Sequence, residues 1–288
     1  MSIKFRWLGN VCLEIVLPSN KVLIVDPYLD SSPYSPIKSS DITGADYIAI
    51  THGHVDHFAD AGPLVRKFNS TVICSRWIAN GLAKFINIDP DTMVKVASVD
   101  TIVFDDLRVE VKKADHVSTV APLKDVFKRL TGVAPDPEMP IADLQRSIRE
   151  MSPRRQPDPA QEALIKRVRD SDITIGEQLS FVFETTDNLR LYVHGAGPYD
   201  YLRDTIRNGR ADVFFSQLGG VRSETAAEIA ALSGAQIVVP VHHDMDGAEV
   251  AHKRAKSMAE HLSKLSSAQL LDAEHGKWYE IGLKVSAV

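Results

Sequence analysis

THGHVDHFAD, residues 51–60, decides how this chain is read. It sets His52, His54, Asp56 and His57 directly after the apolar run Tyr47-Ile48-Ala49-Ile50. A short apolar run bounded by polar residues reads as a buried strand, and a loop at the end of a buried strand is a usual address for chemistry. His52 and His54 are two apart, so in extended backbone both imidazoles project to one side, while Asp56 and His57 turn toward an adjacent point. Neutral imidazole and carboxylate are the donors that zinc and similar borderline cations take. The HxHxDH spacing suits two neighbouring ions better than one. A lone histidine is usually structural, and a solvated loop holds polar groups at no cost. Four metal-capable groups in this spacing behind a strand favour the metal reading.

Outward from this loop the chain alternates. Residues 3–17 and 21–28 form two apolar arms around Pro18-Ser19-Asn20-Lys21 and read as a hairpin. Strand 46–50, helix 59–68, strand 71–74, helix 75–86 and strand 93–96 follow, and then a hairpin over 101–113 turning at Asp105-Asp106. The second half repeats this order. Leu179–Glu184 and Leu189–His194 flank a polar turn, followed by helix 199–207, strand 212–215, helix 224–232, strand 236–241 and helix 248–265. Ser223 is placed as a helix N-cap and Gly234 as a helix stop. Two hairpin-then-βα halves predict an α/β protein in which two sheets pack face to face with helices outside. That is an αββα four-layer sandwich, a single domain over 1–288.

Residues 120–172 interrupt the alternation. Pro122, Pro135, Pro137, Pro140, Pro153, Pro157 and Pro159 surround two helix-like pieces, 141–151 and 160–170. A long strandless, helical, proline-rich segment between two hairpins is expected to be a cap rather than core. Its Arg146, Arg149, Arg154 and Arg155 face the alternative of a merely solvated surface; Arg154 and Arg155 are carried forward as substrate-binding candidates for an anionic molecule.

Composition narrows the function classes. At 288 residues the chain can bury a sizeable core, and 44% hydrophobic with 25% charged residues is ordinary for a globular domain. A net charge of -5 gives no broad footprint for nucleic acid. Cys12 and Cys74 sit inside apolar runs and read as small buried hydrophobes. The opening MSIKFRWLGN lacks the apolar core of a secretion signal, and no run approaches the ~18 apolar residues of a membrane span. The expectation is a cytoplasmic protein with no membrane partner, with homo-oligomerisation left open.

Here the sequence resembles the metallo-β-lactamase-fold hydrolases, over most of the chain apart from the insertion. THGHVDH, residues 51–57, matches their HxHxDH signature. WLGNVCLEI, residues 7–15, followed by VLIVDPYL, residues 22–29, looks like the start of the branch that includes the ascorbate phosphate lactonases. That branch often has a histidine where this chain has Asn10. The resemblance implies His116 in KKADHVS as the third histidine of a first metal centre with His52 and His54. It implies His242 in VVPVHHD as the last ligand of a second centre with Asp56 and His57, His243 being the register competitor. It also implies a Gly-Asp pair whose carboxylate bridges the metals, and here LYVHGAGPYD puts Ala196 after Gly195. His194 shares strand parity with Ala196 and is either a group supporting the site from a deeper layer, a substitute ligand or a satisfied core histidine.

The function implied is hydrolysis of an ester, lactone or phosphoester bond in a small molecule by hydroxide formed at the metal. Asp56 would orient that hydroxide or accept its proton. One or two zinc ions are the implied cofactor, with manganese or iron as alternatives. Two other readings stay open. One is a catalytically impaired or non-hydrolytic ligand-binding member of the fold, decayed at Ala196. The other is a nuclease, which needs a basic groove and is disfavoured by the charge.

Overall fold

The computed structural model describes residues 2–115, 159–195 and 203–282, with scattered positions between 124 and 147. Strand β1 (Ser2–Trp7) buries Ile3, Phe5 and Trp7 by simple alternation. β2 (Leu13–Val16) and β3 (Val22–Val25) follow as antiparallel neighbours. β4 (Tyr47–Ile50), β5 (Thr71–Ser75) and β6 (Val94–Val96) then add in parallel through short helices α1 (Val55–Phe58), α2 (Ala61–Phe68) and α3 (Ala79–Ile86). The second half mirrors this. β7 (Thr101–Val103), β8 (Leu107–Lys113), β9 (Leu179–Thr185) and β10 (Arg190–His194) are antiparallel. Between β8 and β9 lies helix α4 (Pro159–Asp170). After β10 come α5 (Arg203–Gly209), β11 (Val213–Gln217), α6 (Ser223–Leu232), β12 (Ile237–Val241), α7 (Ala248–Leu265), β13 (Gln269–Leu270) and β14 (Tyr279–Gly282).

Two seven-stranded sheets result, ordered β14-β1-β2-β3-β4-β5-β6 and β13-β12-β11-β10-β9-β8-β7. Their facing sides interdigitate Phe5, Leu13, Ile15, Val25 and Ala49 with Val109, Phe181, Phe183, Val193 and Phe215. Phe5 meets Phe215 edge to face at 5.2 Å. The outer side of the first sheet is covered by α1–α4, with Phe58, Leu64, Leu82 and Leu164 on Ile24, Ile48 and Val72. The outer side of the second is covered by α5, α6 and α7, with Ile206, Ala226 and Met258 on Tyr192, Phe214 and Val238. This is the four-layer αββα sandwich that the alternation predicts.

Particular elements depart from the sequence reading. The arm 3–17 is two strands, joined by a turn in which Gly9 (φ 98°) and Asn10 (φ 47°) are left-handed and Cys12 N–H donates to the Gly9 carbonyl at 2.8 Å. Leu8, Val11 and Cys12 around that turn are fully buried, so it carries none of the polarity that marks a surface turn. The helix expected at 59–68 is α2, and a separate short helix, α1, precedes it. Ser223 is the first residue of α6 rather than its cap, its Oγ donating instead to the Arg254 carbonyl, while Gly234 (φ 67°) follows the helix end as expected. Residues 266–282, unassigned from sequence, supply both β13 and β14, and β14 extends the first sheet beside β1. Helix 160–170 corresponds to α4, whereas 141–151 lies largely outside the described residues. Both cysteines are buried and unpaired, and burial raises their thiols, that of Cys74 to about 12. Among the described residues no helix is long and apolar enough to cross a membrane.

Candidate metal centre

The metal-capable side chains gather at the carboxyl ends of β4 and β12, one from each sheet. β4 delivers Thr51 and His52 into the loop, His54 is the extended residue that precedes α1, and Asp56 and His57 ride on α1. Gly53 is required between the two histidines: its N–H donates to the Ile175 carbonyl at 2.9 Å, and a Cβ there would lie 1.9 Å from the Thr174 carbonyl oxygen. The chain leaving α4 is thus laid against the histidine loop.

β12 ends at Val241, and His242 takes a left-handed backbone (φ 62°), rare for a residue with a Cβ. Its N–H donates to the Asn10 carbonyl at 2.7 Å. Gly219 makes the room, since a Cβ there would lie 2.0 Å from the His242 carbonyl oxygen. The twist sends the two adjacent histidines to different places. His242 Nε2 lies 3.6 Å from Asp56 Oδ2, while His243 stacks on Trp7 at 5.0 Å and faces Asp272 at 3.8 Å.

Asp56, His57 and His242 offer one ligand atom each, all within 4.8 Å of one another. The His57 Nε2 to Asp56 Oδ2 distance is 3.8 Å. These spacings are too long for hydrogen bonds and near the roughly 3.3 Å edge of a tetrahedron with zinc-length bonds. The donor set therefore fits a borderline divalent cation. Beside it, His52 Nε2 and His54 Nδ1 approach to 3.0 Å, and the His52 and His57 rings are 4.0 Å apart.

Tautomers follow from the hydrogen bonds behind the rings. Asp26, fully buried and left-handed at φ 47°, accepts the Thr51 N–H at 2.8 Å and the Thr51 hydroxyl at 2.7 Å. It also faces His57 Nδ1 at 2.7 Å. The carboxylate can only accept, so the His57 proton is on Nδ1 and its Nε2 lone pair faces Asp56. The Thr51 hydroxyl has spent its proton on Asp26, so at 3.0 Å it accepts from His52 Nδ1 and leaves the His52 Nε2 lone pair outward. Asp26 and Thr51 thus orient two rings, as carboxylates behind ligating histidines do.

Charge placement favours an added positive charge beside Asp56, a proton on His57 or a cation in its place. Burial raises Asp56, but His57 and His242 outweigh it and hold the carboxyl below its ordinary range. Burial lowers His57, but Asp26 and then Asp56 outweigh it and raise the imidazole. Burial, with His57 adding to it, lowers His242.

The remaining sequence candidates fall as follows. His116, Ala196, Arg154 and Arg155 lie outside the described residues. Gly195, the last described residue after β10, would carry a Cβ 3.6 Å from the Thr51 side chain, so the end of β10 lies against the residue that precedes His52. His194 sits on the helix-facing side of the second sheet, 5.5 Å from the Phe214 ring, edge-on to Tyr192, with Nδ1 3.3 Å from Ser180 Oγ. Its burial lowers the imidazole to about 4. An unfolded chain protonates this histidine below pH ~6.5, whereas the fold resists until about 4, so its contribution is present above pH 6.5 and is lost as pH falls toward 4. The loss amounts to about 3 kcal/mol for the metal-free protein. Urea unfolding at pH 7 and pH 4.5 should show a drop that is smaller in His194→Gln by about that amount.

Asp26, Thr51, Asn10 and Gly219 are the site residues that sequence reasoning left without a role. The only local signal was a carboxylate closing the apolar run Val22–Val25, whose strand lies parallel to β4, the strand that ends just before Thr51.

Fold and site together define a metallo-β-lactamase-fold protein with a candidate divalent-metal centre. Residues 6–87 match the profile of the Metallo-beta-lactamase superfamily. The chain is 36% identical over 101 residues to a UPF0173 metal-dependent hydrolase of Solibacter usitatus, a match covering 33% of this chain and 44% of that relative. The match thus spans less than half of that relative's length. Among solved structures, Igni18, a metallo hydrolase of the archaeon Ignicoccus hospitalis, superposes with TM-score 0.66 at 14% identity, covering 99% of this chain and 100% of that one. CmlA, a diiron beta-hydroxylase from Streptomyces venezuelae, gives TM-score 0.61 at 12% identity over 98% of this chain and 54% of its own. At these identities the likeness is one of fold.

Proposed function

We propose that this protein is a metal-dependent hydrolase of esters, lactones or phosphoesters of a small molecule, candidate anionic substrates included. The observation that carries the proposal is the convergence of Asp56 Oδ2, His57 Nε2 and His242 Nε2 within 4.8 Å, beside His52 and His54. In this reading His52, His54 and His116 hold a first cation, and Asp56, His57 and His242 hold a second. Zinc suits the nitrogen-rich donors, with manganese or iron as alternatives. A divalent cation there supplies Lewis-acid polarisation of the scissile group and acidifies water.

The chain's own residues do the rest. Asp26 keeps the His57 proton on Nδ1, and Thr51 keeps that of His52 on Nδ1. Asp56, ionised by its histidine neighbours and partly open to solvent, offers a carboxylate oxygen that orients the attacking water and takes its proton. Residues 120–172, with Arg154 and Arg155, form the cap that selects the substrate, apart from α4, whose Leu164 packs into the core on the outer side of the first sheet, and His194 supports the wall of the second sheet. With alanine at 196 in place of a bridging carboxylate, the second cation is held less firmly than the first. A cytoplasmic location is part of the same reading.

The test is turnover of a panel of generic lactones, carboxylic esters and phosphodiesters by protein as purified, after chelation, and after return of zinc, manganese or iron. Hydrolysis of at least one class, abolished by chelation and restored by a cation, is expected. Turnover indifferent to chelation would refute the proposal.

A further inference from the structure

Asn10 makes more connections to the candidate centre than any role assigned so far requires. Its backbone N–H donates to Asp244 Oδ2 at 2.8 Å. Its carbonyl accepts from Trp7 Nε1 at 2.8 Å and from the His242 N–H at 2.7 Å. Its side-chain Nδ2 donates to Asp56 Oδ2 at 3.3 Å, the same oxygen that faces His57 and His242. The residue is 2% exposed, and its Oδ1 has no partner among the described residues. Both Asn10 (φ 47°) and His242 (φ 62°) are left-handed, and they are hydrogen-bonded to each other. Such backbone persists only where its surroundings over-determine it, and asparagine is among the few side chains that accept it readily.

We infer that Asn10 is a positioning residue that fixes two ligands of the second centre to each other, His242 through its carbonyl and Asp56 through its amide. This inference rests on the metal reading above. The two ligands come from opposite sheets, and the β1–β2 turn lies between them. A neutral amide suits the place. It occupies one lone pair of Asp56 Oδ2 and so fixes the carboxylate's rotation, without adding a positive charge that would repel a cation.

The test uses Asn10→Gly, which keeps the left-handed backbone and its hydrogen bonds but deletes the amide, and Asn10→His, which restores an N–H donor on a residue that tolerates this backbone. Calorimetric titration with cobalt(II), read in parallel by its visible spectrum, reports each equivalent separately. Asn10→Gly should weaken the second equivalent by about 10–100-fold and change its spectrum, leaving the first equivalent and the metal-free unfolding midpoint unchanged. Asn10→His should recover most of that loss. An unchanged second equivalent in Asn10→Gly, or equal weakening of both equivalents with a lowered midpoint, would overturn the inference. Absence of a second equivalent in the unsubstituted protein would instead refute the two-centre reading, and the inference with it.

Discussion

Asp26→Ala is expected to cost about 4 kcal/mol of stability and to strip the second centre of its cation. Asp26 is fully buried and collects the Thr51 N–H, the Thr51 hydroxyl and His57 Nδ1. Alanine leaves these donors buried without an acceptor, and each costs about 1–3 kcal/mol. Asp26→Asn separates the two effects. The amide keeps the shape, but its NH₂ facing His57 Nδ1 forces the imidazole proton to Nε2, where the lone pair for the cation should be. The expected outcome is a modest stability loss with metal affinity down about 10–100-fold. Urea unfolding of the metal-free protein and calorimetric titration measure the two quantities. An Asp26→Asn variant binding metal as tightly as the parent would show that the His57 tautomer is not set by residue 26.

Gly53→Ala comes next in size. Its new methyl would stand 1.9 Å from the Thr174 carbonyl oxygen, a backbone atom that cannot swing aside as a side chain does. Either the histidine loop or residues 173–175 must move, and the Gly53 N–H to Ile175 bond is lost. The expected cost is about 3 kcal/mol, typical of severe overpacking. Because His52 and His54 flank the glycine, the same movement should weaken the first cation equivalent. A variant with parental stability and both equivalents intact would show that the loop yields freely.

The two predictions rest on residues that differ in how far sequence could reach them. His52, His54, Asp56 and His57 were legible because their spacing is local and the apolar run before them marks a strand end. His242 was reached through the family resemblance, on the apolar run that becomes β12. Its separation from His243 was not, since strand parity says only that neighbours diverge, whereas a left-handed backbone and the space at Gly219 decide where each goes. Asp26 reaches Thr51 from 25 positions away and Asn10 reaches Asp244 across 234, and Thr51 can orient its neighbour His52 only because Asp26 takes its hydroxyl proton; no local pattern announces such contacts. The fold was legible wherever periodicity changed. It was not at residues 8–12, where a turn buried among Leu8, Val11 and Cys12 reads as continuous strand, nor after 265, where short edge strands carry too few residues to show a period.

The central claim is that Asp56, His57 and His242 hold a divalent cation that hydrolysis requires. Titrating metal-stripped protein with zinc by calorimetry, alongside His242→Ala and Asp56→Ala, tests it most directly. Two equivalents are predicted for the parent, the second weaker than the first, with each variant retaining only the first and losing turnover of whichever substrate the parent hydrolyses. Variants that bind two equivalents as the parent does, or a parent that binds none, would contradict it.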